Sequence, residues 1–521
     1  MLLPYKGIDM KIPKQTILDK AISWVAPQTG LKRWHARTQM ALLGGFTGAR
    51  HDRRQTQTWN AYSGSADNVS LDDLPTLRDR SRDLLRNAPL ATGAVNTVIT
   101  NVIGTGLRPQ SHIDRKVLKQ YFKSEDDMEE WEAEAERIFA IWANSQNCDL
   151  TRNQTFTDMQ ALLLRSCLES GDVFVLRKYR ERKGCPFGTT LQIIEADRVA
   201  SQPADPDNIV AGIEIDTDGA PVAYHVLNHN PDDPERGVVE SVRVPAFDNL
   251  GNKQVLHIFV RTRPDLTRGI PYLAPVIESL KQLDRYTEAE IAAAVISSMF
   301  TIFVKSETED GLLPMGSEQG KPAKSGDYKM SPGAILDLQP NEAIEIADPK
   351  RPNQAFDGFV QSILRQIGVA LEIPFEILIK HFTASYSAAQ AALVEAWKTF
   401  STRRKWISAQ FCQPVYEMVI TEAVAKGYLK APGFFSNPFV RAAYLGTEWI
   451  GPPRGQIDQL KEIRAADYRV KMGVSTLEEE TAQITGGNWE VKHAQRAREQ
   501  KLRTEAGLIE TTEKAEQNDS D

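Results

Sequence analysis

The chain has little of what most enzymes and secreted proteins display. Among its 521 residues only four are cysteine, Cys148, Cys167, Cys185 and Cys412, scattered without a CxxC pair. That excludes a disulfide framework read from spacing and points to reduced thiols in the cytosol. Eight histidines are present, and the pair His225 and His229 falls in a strand-and-turn context. Residues four apart along a strand lie ~13 Å from each other, too far to share a metal. No HExxH, GxSxG or paired-carboxylate signature occurs. The nearest approach to a phosphate-binding loop, Gly316-Ser317-Glu318-Gln319-Gly320-Lys321-Pro322, is one residue short between its glycines, and Pro322 stands where a Ser or Thr must reach Mg²⁺. It reads as a loop tip, so the chain is not expected to be an ATPase. No catalytic residue, metal or cofactor is expected.

Positive charge and long apolar runs are scarce too. The net charge of -7 excludes a protein that coats DNA through many phosphate contacts, and suits a passage through which a polyanion slides. The most apolar run, Ile291 to Val304, gives ~21 Å of helical rise against ~30 Å of hydrocarbon, too short for a membrane span. The segment from Met1 to Lys20 mixes Lys, Asp and Pro, and no secretory signal is expected there.

What remains is an ordinary globular composition, 41% hydrophobic and 25% charged, in a chain long enough for two or three structural regions. It is organised around residues 268–427. Val276, Leu280 and Leu283 recur at helical spacing, and the small residues Ala292, Ala293, Ala294, Ser297 and Ser298 follow. This predicts one helix from Leu273 to about Val304, ~45 Å long, with its second half buried all round. A Pro/Gly-rich insert follows from Lys305 to Asn353, in which Ala334 to Leu338 and Ala343 to Ala347 read as two short strands. The helical period resumes from Phe356 to Leu371. Pro374 to Tyr386 reads as a loop, with Ser385 or Ser387 as the N-cap of a helix of about 40 residues running to Gly427 and kinked at Pro414.

Upstream, residues 1 to 70 read as an arm, with Gly44-Gly45 and the cluster Arg50 to Arg54. Helices are predicted from Leu71, over Pro89 to Ile103, Glu129 to Trp142 and Phe156 to Ser170. Arg78, Arg82 and Arg86 share one helical face. A phosphate-binding stripe is one reading, a solvated face balanced by Asp79 and Asp83 is the preferred one, and pairing with acidic residues of a neighbouring subunit is a third. Strands are predicted over Val173 to Tyr179, Thr190 to Glu195, Ile209 to Ile215, Val222 to Leu227 and Val255 to Val260, with Asp218-Gly219 as a hairpin turn. They imply one antiparallel layer on helices, an α+β region. Downstream, helices are predicted from Asp458 to Met472 and Thr476 to Thr485, and residues 491 to 521 are strongly polar.

Several words in this order resemble the portal proteins of tailed bacteriophages, in particular the lambda-like family. They are Arg268-Gly269-Ile270-Pro271, Phe382-Thr383-Ala384-Ser385-Tyr386-Ser387-Ala388-Ala389, Glu395-Ala396-Trp397, Arg403-Arg404-Lys405, Glu448-Trp449-Ile450-Gly451, Gly455-Gln456-Ile457-Asp458 and Leu460-Lys461-Glu462. The resemblance spans about Gly44 to Arg498 and is strongest after Arg268.

It implies an α+β portal-type fold with a helical stem, a small β-containing clip, an α+β wing and a helical C-terminal crown. The regions would be an arm (1–70), wing (71–267), first stem helix (268–304), clip (305–354) and second stem helix (355–373). A tunnel loop (374–386), the long helix with wing completion (387–457), the crown (458–500) and a polar tail expected to be disordered (501–521) would complete the chain. The tunnel loop would bring Lys380, His381, Thr383, Ser385 and Tyr386 to a DNA channel. Ile291, Val295, Met299, Trp397 and Phe400 are candidates for contact between subunits. The implied protein is a non-enzymatic ring of twelve at one capsid vertex of the virion, assembled in the host cytoplasm and away from membranes. Its implied partners are double-stranded DNA, the terminase large subunit, a head-tail adaptor, and the major capsid and scaffold proteins. A packaging-associated hydrolase using His381 or Asp348, and a shell or scaffold protein without a channel, are the rival readings.

Overall fold

The computed structural model describes residues 63–298, 302–306, 342–346 and 356–508, with short interruptions at 203–205, 207, 234–237, 383–384 and 456–457, and isolated positions between 20 and 58. Residues 1–65 and 66–521 are separate compact units, and the description below concerns the second. The glycine-bounded tip at 316–322, the strand expected over 334–338, Asp348, Met299 and Thr383 lie outside the described residues.

The helical body begins with α1 (Ala66–Ser70), α2 (Leu74–Asn87) and α3 (Pro89–Val102). A short strand β1 (Arg108–Ser111) and helix α4 (Arg115–Leu118) lead to α5 (Glu125–Ala143) and α6 (Phe156–Ser170). Capping boxes open the last two, Ser124 with Asp127 and Thr155 with Asp158. Each satisfies backbone N–H groups that have no partner within the helix. The buried faces of these helices meet in an aromatic core. Phe139 packs edge-on to Phe156 at 5.6 Å, and Phe156 lies 5.3 Å from Phe411.

The single β-layer expected from the sequence is instead two antiparallel sheets. Strands β2 (Asp172–Tyr179), β3 (Thr189–Ile194) and β8 (Val255–Phe259) form an antiparallel sheet in the order β3-β2-β8. Strands β4 (Ile209–Val210), β5 (Ile213–Ile215), β6 (Pro221–Leu227) and β7 (Ser241–Pro245) form the second. Between β4 and β5, Ala211 and Gly212 both have positive φ, 48° and 82°, so the continuous strand expected from Ile209 to Ile215 is broken. Gly219, at φ 80°, closes the predicted hairpin between β5 and β6. β2 is buried on both faces. Val173 and Val175 belong to the main core, while Phe174 and Leu176 pack in a second core with Ile194, Ile213 and Tyr224. The period of two along the strand thus divides one apolar run between two cores.

The helix expected from Leu273 enters through a 3₁₀ turn (Ala274–Val276) and continues as α7 (Ile277–Ser298). It stops short of the expected Val304 because Ile302-Phe303-Val304, a β-branched and aromatic run, belongs to strand β9 (Ile302–Ser306). β9 pairs antiparallel with β10 (Glu342–Ile346), Ile302 opposite Ile346. The next helix, α8 (Phe356–Ala370), packs on α7, with Tyr286 5.4 Å from Phe356 and 5.3 Å from Phe359. Against the expectation of all-round burial, Ile291 is 60% and Val295 48% exposed.

After the short helix α9 (Phe375–Leu378), the long helix is two helices joined by a π-turn: α10 (Tyr386–Ile407), Ser408–Cys412, and α11 (Gln413–Ala425). Pro414 lies in the first turn of α11. It has no N–H, its ring needs room near the preceding turn, and the wider π-turn supplies that room where the sequence predicted a kink. Gly427 (φ 74°) ends α11, with Tyr428 N donating to Ala423 O at 2.9 Å. Then come α12 (Pro438–Tyr444) and β11 (Thr447–Ile450), which pairs with β1. The terminal helices are α13 (Gln459–Lys471), α14 (Leu477–Thr485) and α15 (Trp489–Glu505). α15 runs past the expected crown boundary and was not anticipated, because its sequence has no apolar face.

Candidate functional site

The segment joining α8 to the long helix is anchored in the core at its base and exposed at Lys380, His381 and Phe382. Gly368 allows the turn after α8: a Cβ there would sit 2.7 Å from Ile373 O. Ile377 and Leu378 of α9 are buried in the main core. Past them the chain reverses at Lys380, φ 55°, and His381 N donates to Glu376 O at 3.1 Å. Lys380, His381 and Phe382 are all exposed. Ser385 takes the N-cap position of α10, but its side chain makes no capping bond. Tyr386 opens that helix. Phe382 was missed as a site residue, although an aromatic residue in an otherwise polar loop is a legible signal.

Behind this loop lies a cleft of about 300 Å³ lined by residues including Asn96, Asn101, Ile377, Phe382, Trp397 and Arg454. Trp397 is partly buried against the core, and Phe400, only 3% exposed, belongs to the subunit's own core. Phe400 is therefore not available on the outer surface as a contact between subunits, because its ring already fills the space between α10 and the body. Arg404 explains one of the sequence words. Its guanidinium donates to Asn101 O at 3.1 Å, Val102 O at 3.3 Å and Pro452 O at 2.9 Å, and lies 4.8 Å from the Trp397 ring centre. A cation is placed at the carbonyl end of α3, where the helix dipole favours it. Gly451 completes the fit, since a Cβ there would be 2.6 Å from Arg404 Nε. Arg403 lies over Tyr272 at 4.5 Å and 3.7 Å from Glu372, tying the loop's base to the segment that leads into α7.

Arg268 explains another word. It is 2% exposed, and its five N–H groups all find acceptors. Nε and Nη2 donate to Asp172 at 2.5 and 3.2 Å, Nη1 to Val199 O and Ala211 O at 2.6 and 2.8 Å, and Nη2 also to Ala196 O at 2.7 Å. His257 bonds the same carboxylate at 3.1 Å and stacks on Phe174 at 4.3 Å. Burial raises the Asp172 pKa, but Arg268, the bond with His257, and Arg78 outweigh it and hold the carboxyl far below its ordinary range. Burial lowers His257, against the opposing pull of Asp172. Beside this node Gly171 and Gly269 approach backbone to backbone: a Cβ on Gly269 would meet Gly171 O at 2.1 Å.

The arginine stripe belongs to the same node, which corrects the expectation of a solvated face. Arg78 is buried and pairs with Asp172 at 2.8 Å and Asp197 at 3.4 Å, and Arg82 pairs with Asp197 and, at 3.5 Å, Glu195. Only Arg86 points to solvent. Sequence spacing located the face but could not show partners about a hundred residues away. His225 lies on β6 beside Glu214 at 3.7 Å, and His229 is buried beyond the strand. The four cysteines are free, and burial pushes the Cys148 thiol up to about 12. Among the described residues no group of three or more His, Cys, Asp or Glu is placed to hold a metal.

Residues 52–404 match the sequence profile of the phage portal protein, lambda family. The chain is 25% identical over 480 residues to Portal protein B of Escherichia phage lambda, covering 87% of this chain and 89% of that one. It is 27% identical over 492 residues to the portal protein of Escherichia phage N15, covering 89% and 90%. Among solved structures, a chain from the neck of a native gene transfer agent particle aligns with 80% of this chain and 98% of its own, at a TM-score of 0.42 and 13% identity. With well over half its length inside the family profile and near-complete alignment to two portal proteins, the chain belongs to the lambda family of phage portal proteins, and its role is that of portal and head-tail connector.

Proposed function

We propose that twelve copies close into a ring at one capsid vertex and that double-stranded DNA passes through its centre during packaging and ejection, with the loop at 374–386 facing the passage. The observation that carries this reading is the loop's construction. Ile377 and Leu378 fix its base in the core while Lys380, His381 and Phe382 stand exposed. A cation and polar groups on a firm base can touch phosphate without reading bases. The overall charge of -7 keeps such contacts weak enough for the polyanion to move. Ile291 and Val295, exposed on α7, would be covered by the adjoining copy's stem.

In this reading the segment 305–354 is the clip that meets the terminase large subunit and later the head-tail adaptor. Residues 71–267 with the long helix form the wing toward the major capsid and scaffold proteins, and 458–500 the crown. The protein is structural and non-enzymatic, assembled in the host cytoplasm and then resident in the virion. No helix of the described residues is long and apolar enough to cross a membrane.

Electron microscopy of the purified chain should show rings with an open centre. Deleting residues 379–385 should leave the rings intact while DNA is no longer packaged or retained. Persistent monomers at every salt concentration would overturn the ring, and loss of rings on deletion would overturn the loop's placement at the passage.

A further inference from the structure

We infer that α15 is an inter-subunit clasp whose cationic side seats on the acidic outer face of α5 in the next copy around the ring; this rests on the ring reading above. Five Lys or Arg residues lie on α15, none of its side chains is buried, and it carries Val491 and Leu502 exposed. At ~100° per residue, Lys492, Arg496 and Arg503 fall within a narrow arc. Glu499 shares that arc and is engaged by Gln495 at 2.7 Å. Among the described residues Arg496, Arg498, Lys501 and Arg503 have no carboxylate within ion-pairing distance.

The complementary surface is α5, which carries eight carboxylates and one arginine. Asp126, Glu130, Ala133, Arg137, Ala140 and Ile141 are exposed along one side. The two alanines let another helix approach closely, and Ile141 offers an apolar contact. Within one subunit the two helices do not make this match. α15 begins with Glu490, whose pKa is raised first by burial and then by the nearby carboxylates of Glu132 and Glu129, a repulsive placement. The attractive pairing is therefore left for a different copy. A contact that joins two unlike surfaces, one from each side of a subunit, is the kind that can close a ring.

DNA is the other polyanion that a basic helix could meet. Apolar Val491 and Leu502, and three carboxylates on α15 itself, favour a protein surface over phosphate.

The test uses the full chain. Lys492→Glu, Arg496→Glu and Arg503→Glu together form one variant, Asp126→Lys with Glu130→Lys a second, and all five changes a third. Ring assembly is read by native mass spectrometry across a salt series. Each of the first two variants is expected to need roughly tenfold more protein for half-assembly, about 1.4 kcal/mol, and the third to recover most of that loss. A cysteine pair, Arg496→Cys with Glu130→Cys, should crosslink between copies and give a ladder of multimers on oxidation. Rings indifferent to all three variants, or crosslinks confined to single chains, would overturn the clasp while leaving the ring reading standing. Intact rings that retain less DNA would assign the helix to DNA and overturn it too. A parent chain that never assembles would overturn the ring reading itself.

Discussion

Arg268 connects the segment leading into α7 to three separate segments, through Asp172 and the carbonyls of Ala196, Val199 and Ala211. Arg268→Ala would leave the Asp172 carboxylate in the core with fewer partners and is expected to destabilise the fold by about 3–5 kcal/mol. Arg268→Lys should restore little of that, because an ammonium cannot span five acceptors arranged for a planar fork. Denaturant unfolding of both variants checks this. The importance of the Arg268-Gly269 word was legible in the sequence; its reason was not, since the acceptors lie 57 to 96 residues away. Glu136 gives a pH signature. Burial pushes its pKa up to about 7 from 4.5, with Glu490 and Glu132 adding to the rise and the N–H of Ser111 opposing it. A carboxyl whose pKa is higher in the folded state favours folding most at low pH, and that contribution is lost as pH climbs from about 4.5 to about 7. Melting temperatures should fall over this window in the parent and fall less in Glu136→Gln, whose amide oxygen can still accept from Ser111.

Elements were legible where one periodic signal decided them. β2 was found because four consecutive apolar residues between turn signals admit few other readings, and α8 because its apolar residues keep helical spacing. The end of α7 was misplaced because small and apolar residues continue past Ser298 without a stop signal, and only pairing with β10, 36 residues beyond the end of β9 by numbering, draws Ile302–Ser306 into a strand. The π-turn at Ser408–Cys412 lay behind a proline whose presence was plain and whose consequence was not. At this scale Gly451→Ala should displace the Arg404 side chain from the carbonyl end of α3 and cost about 1–3 kcal/mol through the acceptors it leaves unpaired. Arg404→Ala in the same background should then add little, a non-additivity that a double-mutant cycle measures.

For the whole molecule, exposure in a single subunit separates folding from assembly. Ile291→Asp alters a side chain that is 60% exposed, so the monomer's melting temperature should barely move. In the proposed ring the same change places a charge against a neighbouring stem, and native mass spectrometry should show assembly lost. Phe400→Ala should do the reverse of this division and weaken the subunit itself, by about 3–5 kcal/mol, because its ring is in the core. The candidate contacts rest on the small-residue face of Ile291 to Met299 and on the aromatic residues of the long helix, features that cannot tell a residue that fills its own subunit from one that awaits another.

β2 touches both hydrophobic cores with alternate side chains and begins at Asp172. Neither core can loosen without stripping one side of the strand that the other depends on. The two sheets should therefore melt in one calorimetric peak, and strain applied at the second should travel through a shared beam toward the start of α7.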